Sequence, residues 1–117
     1  MKETIYKTFE KIFRKYRSEN ENGIDYESAK IILKNDKQAI LVDVRSPQEY
    51  KEGHLEGSIN IPLYDLERNC KALVDKKENT IILYCQSGSR SRKAMQILQE
   101  QSCSNIYQID GGLDNID

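Results

Sequence analysis

Two short apolar runs constrain this chain more than anything else in it. Ala39-Ile40-Leu41-Val42-Asp43-Val44 and Thr80-Ile81-Ile82-Leu83-Tyr84 are nearly continuous in apolar and β-branched residues. A strand with one wet face alternates polar and apolar side chains, whereas a strand covered on both faces has no need to. Both runs therefore predict strands in a sheet enclosed by helices. The flanking segments supply those helices. Tyr26 to Asn35 places Ala29, Ile32 and Leu33 on one side. Ser46-Pro47-Gln48-Glu49 has the form of a helix start, with a serine cap, proline at the first position and a glutamate three residues after the cap. Leu63 to Val74 and Ser91 to Gln101 read as further helices, Ser58 to Ile61 as a brief strand ended by Pro62, and Asn105 to Ile109 as a third clear strand closed by Gly111-Gly112. Strands alternating with helices at such short spacing define an α/β domain around a small, mostly parallel sheet flanked by helices.

Ahead of that pattern, Ile5, Phe9, Ile12, Phe13 and Tyr16 draw one apolar stripe, with Lys2, Lys7, Lys11, Arg14, Lys15 and Arg17 among the remaining positions. The spacing predicts an extra N-terminal amphipathic helix that docks its stripe on the domain and leaves its cations in water. A polar break from Ser18 to Gly23 is the expected hinge, so residues 1–22 form helix and hinge and 23–117 form the domain. At 117 residues there is room for one core and not two. A net charge of −1 argues against nucleic acid or an anionic membrane as partner, and no apolar run approaches membrane-spanning length. The lysine-bearing N-terminus has no apolar signal core, which makes the cytoplasm the expected location, and a monomer is the expected state.

The second strand run ends on the most informative residues. Cys85 stops it, Gln86-Ser87-Gly88-Ser89 follows, and Arg90 opens the next helix. A thiol at a strand-to-helix turn meets converging backbone N–H groups and the positive end of a helix dipole, so Cys85 should be a thiolate and a nucleophile. Gly88 lets the backbone turn so that successive N–H groups face inward. Arg90 either grips an anionic substrate or braces the loop by bonding its carbonyls, and bracing is the expectation because a tight loop must satisfy them. Arg92 and Lys93, in the first turn of that helix, are either an anion lure or a solvated edge. In open α/β sheets ligands sit beyond the carboxyl ends of strands, which puts Asp43 and Arg45 on the same rim as Cys85. Cys70, Cys85 and Cys103 lack C-x-x-C spacing and His54 is the only histidine, so no metal and no cofactor is expected and all three cysteines should be free thiols.

Taken together, four stretches resemble the rhodanese-like sulfurtransferase domains. They are Leu41-Val42-Asp43-Val44-Arg45, Glu49-Tyr50 with Gly53-His54-Leu55-Glu56-Gly57-Ser58-Ile59-Asn60-Ile61-Pro62, Tyr84-Cys85-Gln86-Ser87-Gly88-Ser89-Arg90-Ser91, and Gly111-Gly112. The resemblance implies an active-site loop, Cys85 to Arg90, wrapped around a sulfur atom carried on Cys85. It makes Asp43 and Arg45 supporting residues, with Glu49 a candidate partner for Arg45, and His54 a structural histidine. It also implies the partners: a small sulfur donor such as thiosulfate, a thiol or cyanide acceptor, or a protein in either role. Three departures stand beside it. Gln86 occupies a position where many relatives have arginine, Ile116 stands about where a tryptophan is usual, and the further helix common after the Gly-Gly pair has no counterpart before Asp117.

Sulfur transfer suits a loop that has no His, Asp or Glu between Cys85 and Arg90, because a thiolate attacking a sulfane sulfur needs no proton removed from carbon or water. A cysteine phosphatase or arsenate reductase is one rival. Its C-x5-R signature has five intervening residues where this chain has four, and no aspartate is placed as general acid. The other rival is a non-catalytic rhodanese-like binding or regulatory module. Cys103 reads as structural, and Cys70 has no functional context.

Overall fold

Every residue of Ile81–Tyr84 is fully buried, as a run without polar alternation requires. That run is β4, the middle of the sheet. The computed structural model describes residues 22–116, and the amphipathic arm expected over residues 1–17 lies outside them. The elements in chain order are β1 (Gly23–Ile24), α1 (Tyr26–Asn35), β2 (Ile40–Asp43), α2 (Pro47–Glu52), β3 (Ile59–Asn60), α3 (Leu63–Arg68), α4 (Lys71–Val74), β4 (Ile81–Tyr84), α5 (Ser89–Glu100) and β5 (Ile106–Ile109). A 3-10 turn, Gly112–Asn115, follows β5. The five strands form one sheet in the order β1-β5-β4-β2-β3, and every pair is parallel.

Helices cover both faces. On one, Leu66, Leu73, Ala94, Met95 and Leu98 pack over Val42, Ile81, Leu83 and Ile106. On the other, Ala29 and Ile32 of α1 pack over Leu41, Ile82, Tyr84, Tyr107 and Ile109, with Leu113 and Ile116 at the margin. Two caps fix helix entries. The Asp25 carboxylate accepts from Ser28 N at 2.7 Å, and Ser46 with Glu49 forms a complete capping box at the start of α2.

Two expectations change. The single helix expected over Leu63 to Val74 is two short ones, because Asn69 ends α3 and its Oδ1 then accepts from Lys71 N at 3.0 Å to start α4. The break turns both Leu66 and Leu73 into the core, which explains the irregular apolar spacing. The polar break expected over 18–23 runs into the sheet, since Gly23 pairs with Gln108. A two-residue edge strand carries too little pattern to be read from sequence.

The topology locates a crevice. From β2 the chain proceeds to β3 at one edge of the sheet, and from β4 to β5 on the opposite side. The connections leaving these adjacent strands diverge, and a gap between diverging connections is where open α/β sheets bind ligands. The register Asp43 beside Tyr84 brings both strands to an end at one level, with Cys85 next on one side and Val44 and Arg45 on the other.

Candidate active site

Cys85 follows β4 directly and is fully buried. Its sulfur accepts from Gly88 N at 3.0 Å and from Ser91 N at 3.4 Å, and lies 3.7 Å from the Ser91 hydroxyl. Helix α5 has no side-chain cap of the usual kind; the sulfur takes that place, accepting from the third residue of the helix. Gly88 makes this possible, because its φ of 102° lies in the left-handed region, which a side chain would strain.

The loop's carbonyls face elsewhere. Cys85 O accepts from Leu113 N at 3.0 Å and Gln86 O from Asp114 N at 2.9 Å, so the 3-10 turn seats on the loop. Gly88 O accepts from Arg92 N at 3.1 Å and from the Ser91 hydroxyl at 3.0 Å. Gly112 is required for the seating. A Cβ there would overlap Cys85 O and lie 2.7 Å from Gln86 O. With the carbonyls engaged outside, N–H groups are left to point at the sulfur.

Arg90 does not bond those carbonyls, as the bracing expected from sequence would have it. Its Nη1 and Nη2 donate to the Glu49 carboxylate at 2.7 and 3.0 Å. Glu49 is also the third residue of the α2 capping box, where it accepts from Ser46 N at 3.2 Å. The box thus orients the carboxylate that holds Arg90. The Arg90 guanidinium first, and the bonds to Ser46 after it, hold the Glu49 carboxyl down at about 2.

Arg45 pairs with Asp43 and not with Glu49. Its Nε and Nη2 reach both carboxylate oxygens at 2.8–3.1 Å, and Nη2 also donates to Gly53 O at 2.6 Å. Asp43 and Arg45 are both buried, and Asn60 Nδ2 donates to both of their carbonyls at 2.9 Å. Among the described residues neither side chain bonds to the 85–90 loop; they anchor the neighbouring strand end. Tyr84 links the two, because its hydroxyl accepts from Leu55 N at 3.0 Å and shares a hydrogen bond with Ser58 Oγ at 3.1 Å. Burial pushes that phenol up to about 12. His54 gives its Nδ1 proton to Tyr50 O at 2.7 Å, and its ring stacks on Tyr50 with centroids 3.7 Å apart.

At the mouth of the loop, Ser87 and Ser89 are exposed, and Gln86 Nε2 donates to Asp114 at 2.6 Å. Asp114 and Gln108 bear on the loop and were not singled out from sequence, while Gly112 and Ser91 stood in the quoted motifs without a role. The Gly-Gly pair was the one available signal, since adjacent glycines mark close backbone approach. Cys70, Cys85 and Cys103 are free thiols, Cys70 half-buried and the other two buried, and burial pushes the Cys103 thiol up. Among the described residues no three His, Cys, Asp or Glu side chains are grouped to hold a metal, and no helix is long and apolar enough to cross a membrane.

A parallel sheet with one cysteine cradled at the turn from its central strand into a helix defines an α/β domain with a thiol centre. The chain belongs to the rhodanese-like domain family, whose model matches residues 26–117. It is 38% identical over 76 residues to the uncharacterized protein YqhL of Bacillus subtilis, covering 65% of this chain and 59% of that one. It is 36% identical over 75 residues to the thiosulfate sulfurtransferase PspE of Escherichia coli, covering 64% and 71%. A tRNA uridine(34) hydroxylase of Buchnera aphidicola is 36% identical over 94 residues, which cover 75% of this chain and 30% of the hydroxylase. The chain therefore spans 59% and 30% of two of these relatives. Among solved structures, a rhodanese-related protein of Thermoplasma volcanium superposes with a TM-score of 0.64 at 31% identity, covering 80% of this chain and 87% of that one.

Proposed function

We propose that this domain is a sulfurtransferase that carries sulfane sulfur as a persulfide on Cys85. The observation that carries this reading is the convergence of Gly88 N and Ser91 N on the Cys85 sulfur, with the carbonyls of Cys85 and Gln86 held away by the 3-10 turn. Donors aimed at one sulfur stabilise it as an anion, both as the attacking thiolate and as the leaving thiolate when the persulfide is discharged. With thiosulfate as donor, the Cys85 thiolate attacks the sulfane sulfur, the bond to the sulfonate sulfur breaks, and sulfite leaves. A thiolate or cyanide then attacks the outer sulfur of the persulfide, and Cys85 departs as thiolate. The cycle is redox-neutral and needs no cofactor.

Family membership and the likeness to PspE support the same chemistry. Asp43 and Arg45 are support for the strand end, and Arg90 holds the loop through Glu49. A reducing compartment such as the cytoplasm suits three unpaired thiols. The test is an intact-mass spectrum after incubation with thiosulfate, beside Cys85→Ser. The expected result is a gain of one sulfur, removed by cyanide and absent from the variant. No gain with thiosulfate or with a small-molecule persulfide would overturn the proposal in favour of a binding module.

A further inference from the structure

Gln108 lies on β5 beneath the start of α5 and is completely buried. Its Oε1 accepts from the Ser91 hydroxyl at 2.9 Å, and its Nε2 is buried with no hydrogen-bond partner among the described residues. An orphaned amide N–H2 in a protein interior is rare and calls for a reason. Ser91 stands between this amide and the thiol. Its hydroxyl has one proton and three acceptors in reach: Gln108 Oε1, Gly88 O at 3.0 Å and the Cys85 sulfur at 3.7 Å.

The arrangement fits a neutral thiol, which can give its own proton to Ser91 Oγ while Ser91 donates onward to Gln108. It fits a charged sulfur less well. An anionic sulfur has no proton to give and draws the Ser91 proton to itself. Ser91 Oγ then lacks a donor, and Gln108 Oε1 loses the one it had. A carboxamide can answer both changes, because it carries acceptor and donor on one planar group. Turned over, it presents Nε2–H to Ser91 Oγ and leaves its oxygen at the end without a partner, where an unpaired acceptor is better tolerated than an unpaired donor.

We propose that Gln108 is a positioning residue whose amide turns over with the charge on Cys85, accepting from Ser91 beside the thiol and donating to Ser91 beside the thiolate or persulfide anion. This rests on Cys85 being the working thiol. The charge of Arg90, which is paired with Glu49 of α2, bears on the same sulfur; the other charged groups on the elements that meet at this rim are Asp43 and Arg45 at the end of β2, Asp110 after β5, and Asp114 on the 3-10 turn. The Ser91 hydroxyl meets Gln108, Gly88 O and the sulfur, so its coupling to Gln108 can be isolated by substituting both residues.

The test is the pH dependence of the ultraviolet thiolate absorbance of Cys85, taken as the difference from Cys85→Ser. Gln108→Met removes both functions of the amide at similar volume. The ratio of ionised to neutral Cys85 at any given pH is expected to fall about two- to tenfold, the range a single net hydrogen bond supports. In a Ser91→Ala background the same substitution should change nothing further, because the amide acts through the hydroxyl. An unchanged profile in folded Gln108→Met, or an equal shift with and without Ser91, overturns the proposal. If Gln108→Met does not fold, Gln108→Leu takes its place in both backgrounds: a fall that needs Ser91 supports the proposal, and an unchanged profile or a fall independent of Ser91 overturns it. The measurement uses no sulfur donor. Failure to load sulfur would therefore count against the transferase reading, while failure of this shift would count against Gln108.

Discussion

The two strand ends that share the rim are built in opposite ways. At the end of β2, side chains do the holding: the buried Asp43–Arg45 pair is closed on Gly53 O and backed by Asn60. At the end of β4, backbone does the holding: N–H groups converge on a sulfur, and carbonyls are matched by the 3-10 turn. The ion pair commits the Nε and Nη2 of Arg45 to Asp43 and Gly53 O, whereas donors aimed at one sulfur can stabilise a change of charge on it. The difference separates scaffold from chemistry among residues that sequence alone places side by side.

The comparison can be broken most severely at β2. Arg45→Met strands the Asp43 carboxylate in the core, and removing one partner of a buried pair costs about 3–5 kcal/mol. Urea denaturation should show that loss, while the fraction still folded loads sulfur on Cys85 as before. An equal loss of loading per folded molecule would make Arg45 part of the chemistry. Gly112→Ala comes next. Its Cβ meets main-chain carbonyls that cannot step aside, an overpacking cost of about 1–3 kcal/mol. Here loading should fall along with stability, because unseating the 3-10 turn frees the loop carbonyls.

Glu49→Gln is the smallest and sharpens the comparison. The pair with Arg90 is about one-third exposed on each side, so its contribution is about 1 kcal/mol or less. Its pH signature is specific. The folded-state value of about 2 lies below the ordinary 4.5, so the pair's full contribution is present above pH 4.5 and disappears as pH falls through about 2. Stability measured at pH 5 and again near pH 2 should converge between wild type and Glu49→Gln at the acid end. A constant gap between the two proteins would show that the carboxylate's charge is not the cause.

Much of the fold was legible because burial on both faces leaves a plain mark. Val42 and Leu83 sit in runs that only a covered strand tolerates, and the Ser46 box was readable because its parts lie three residues apart. The Asn69 break was not legible, since no glycine or proline announces it. At the site, Cys85 and Gly88 declared themselves through local order. Their partners did not, because those bonds cross between elements: Arg90 meets Glu49 from 41 residues away and Gln86 meets Asp114 from 28. An ion pair at that separation has no periodicity to betray it, and the resemblance offered Glu49 to Arg45, which the fold gives to Asp43.

The complete burial of Cys85 has a consequence for oxidative damage. Progress from thiol to sulfenic and sulfinic acid depends on exposure as well as on charge. Cys85 has no exposed surface and Cys103 almost none, whereas Cys70 is only half-covered, on the groove beside Leu66, Val74 and Ile97. Peroxide dissolved in the surrounding water therefore meets Cys70 first, and the loop that encloses the Cys85 sulfur also shields it.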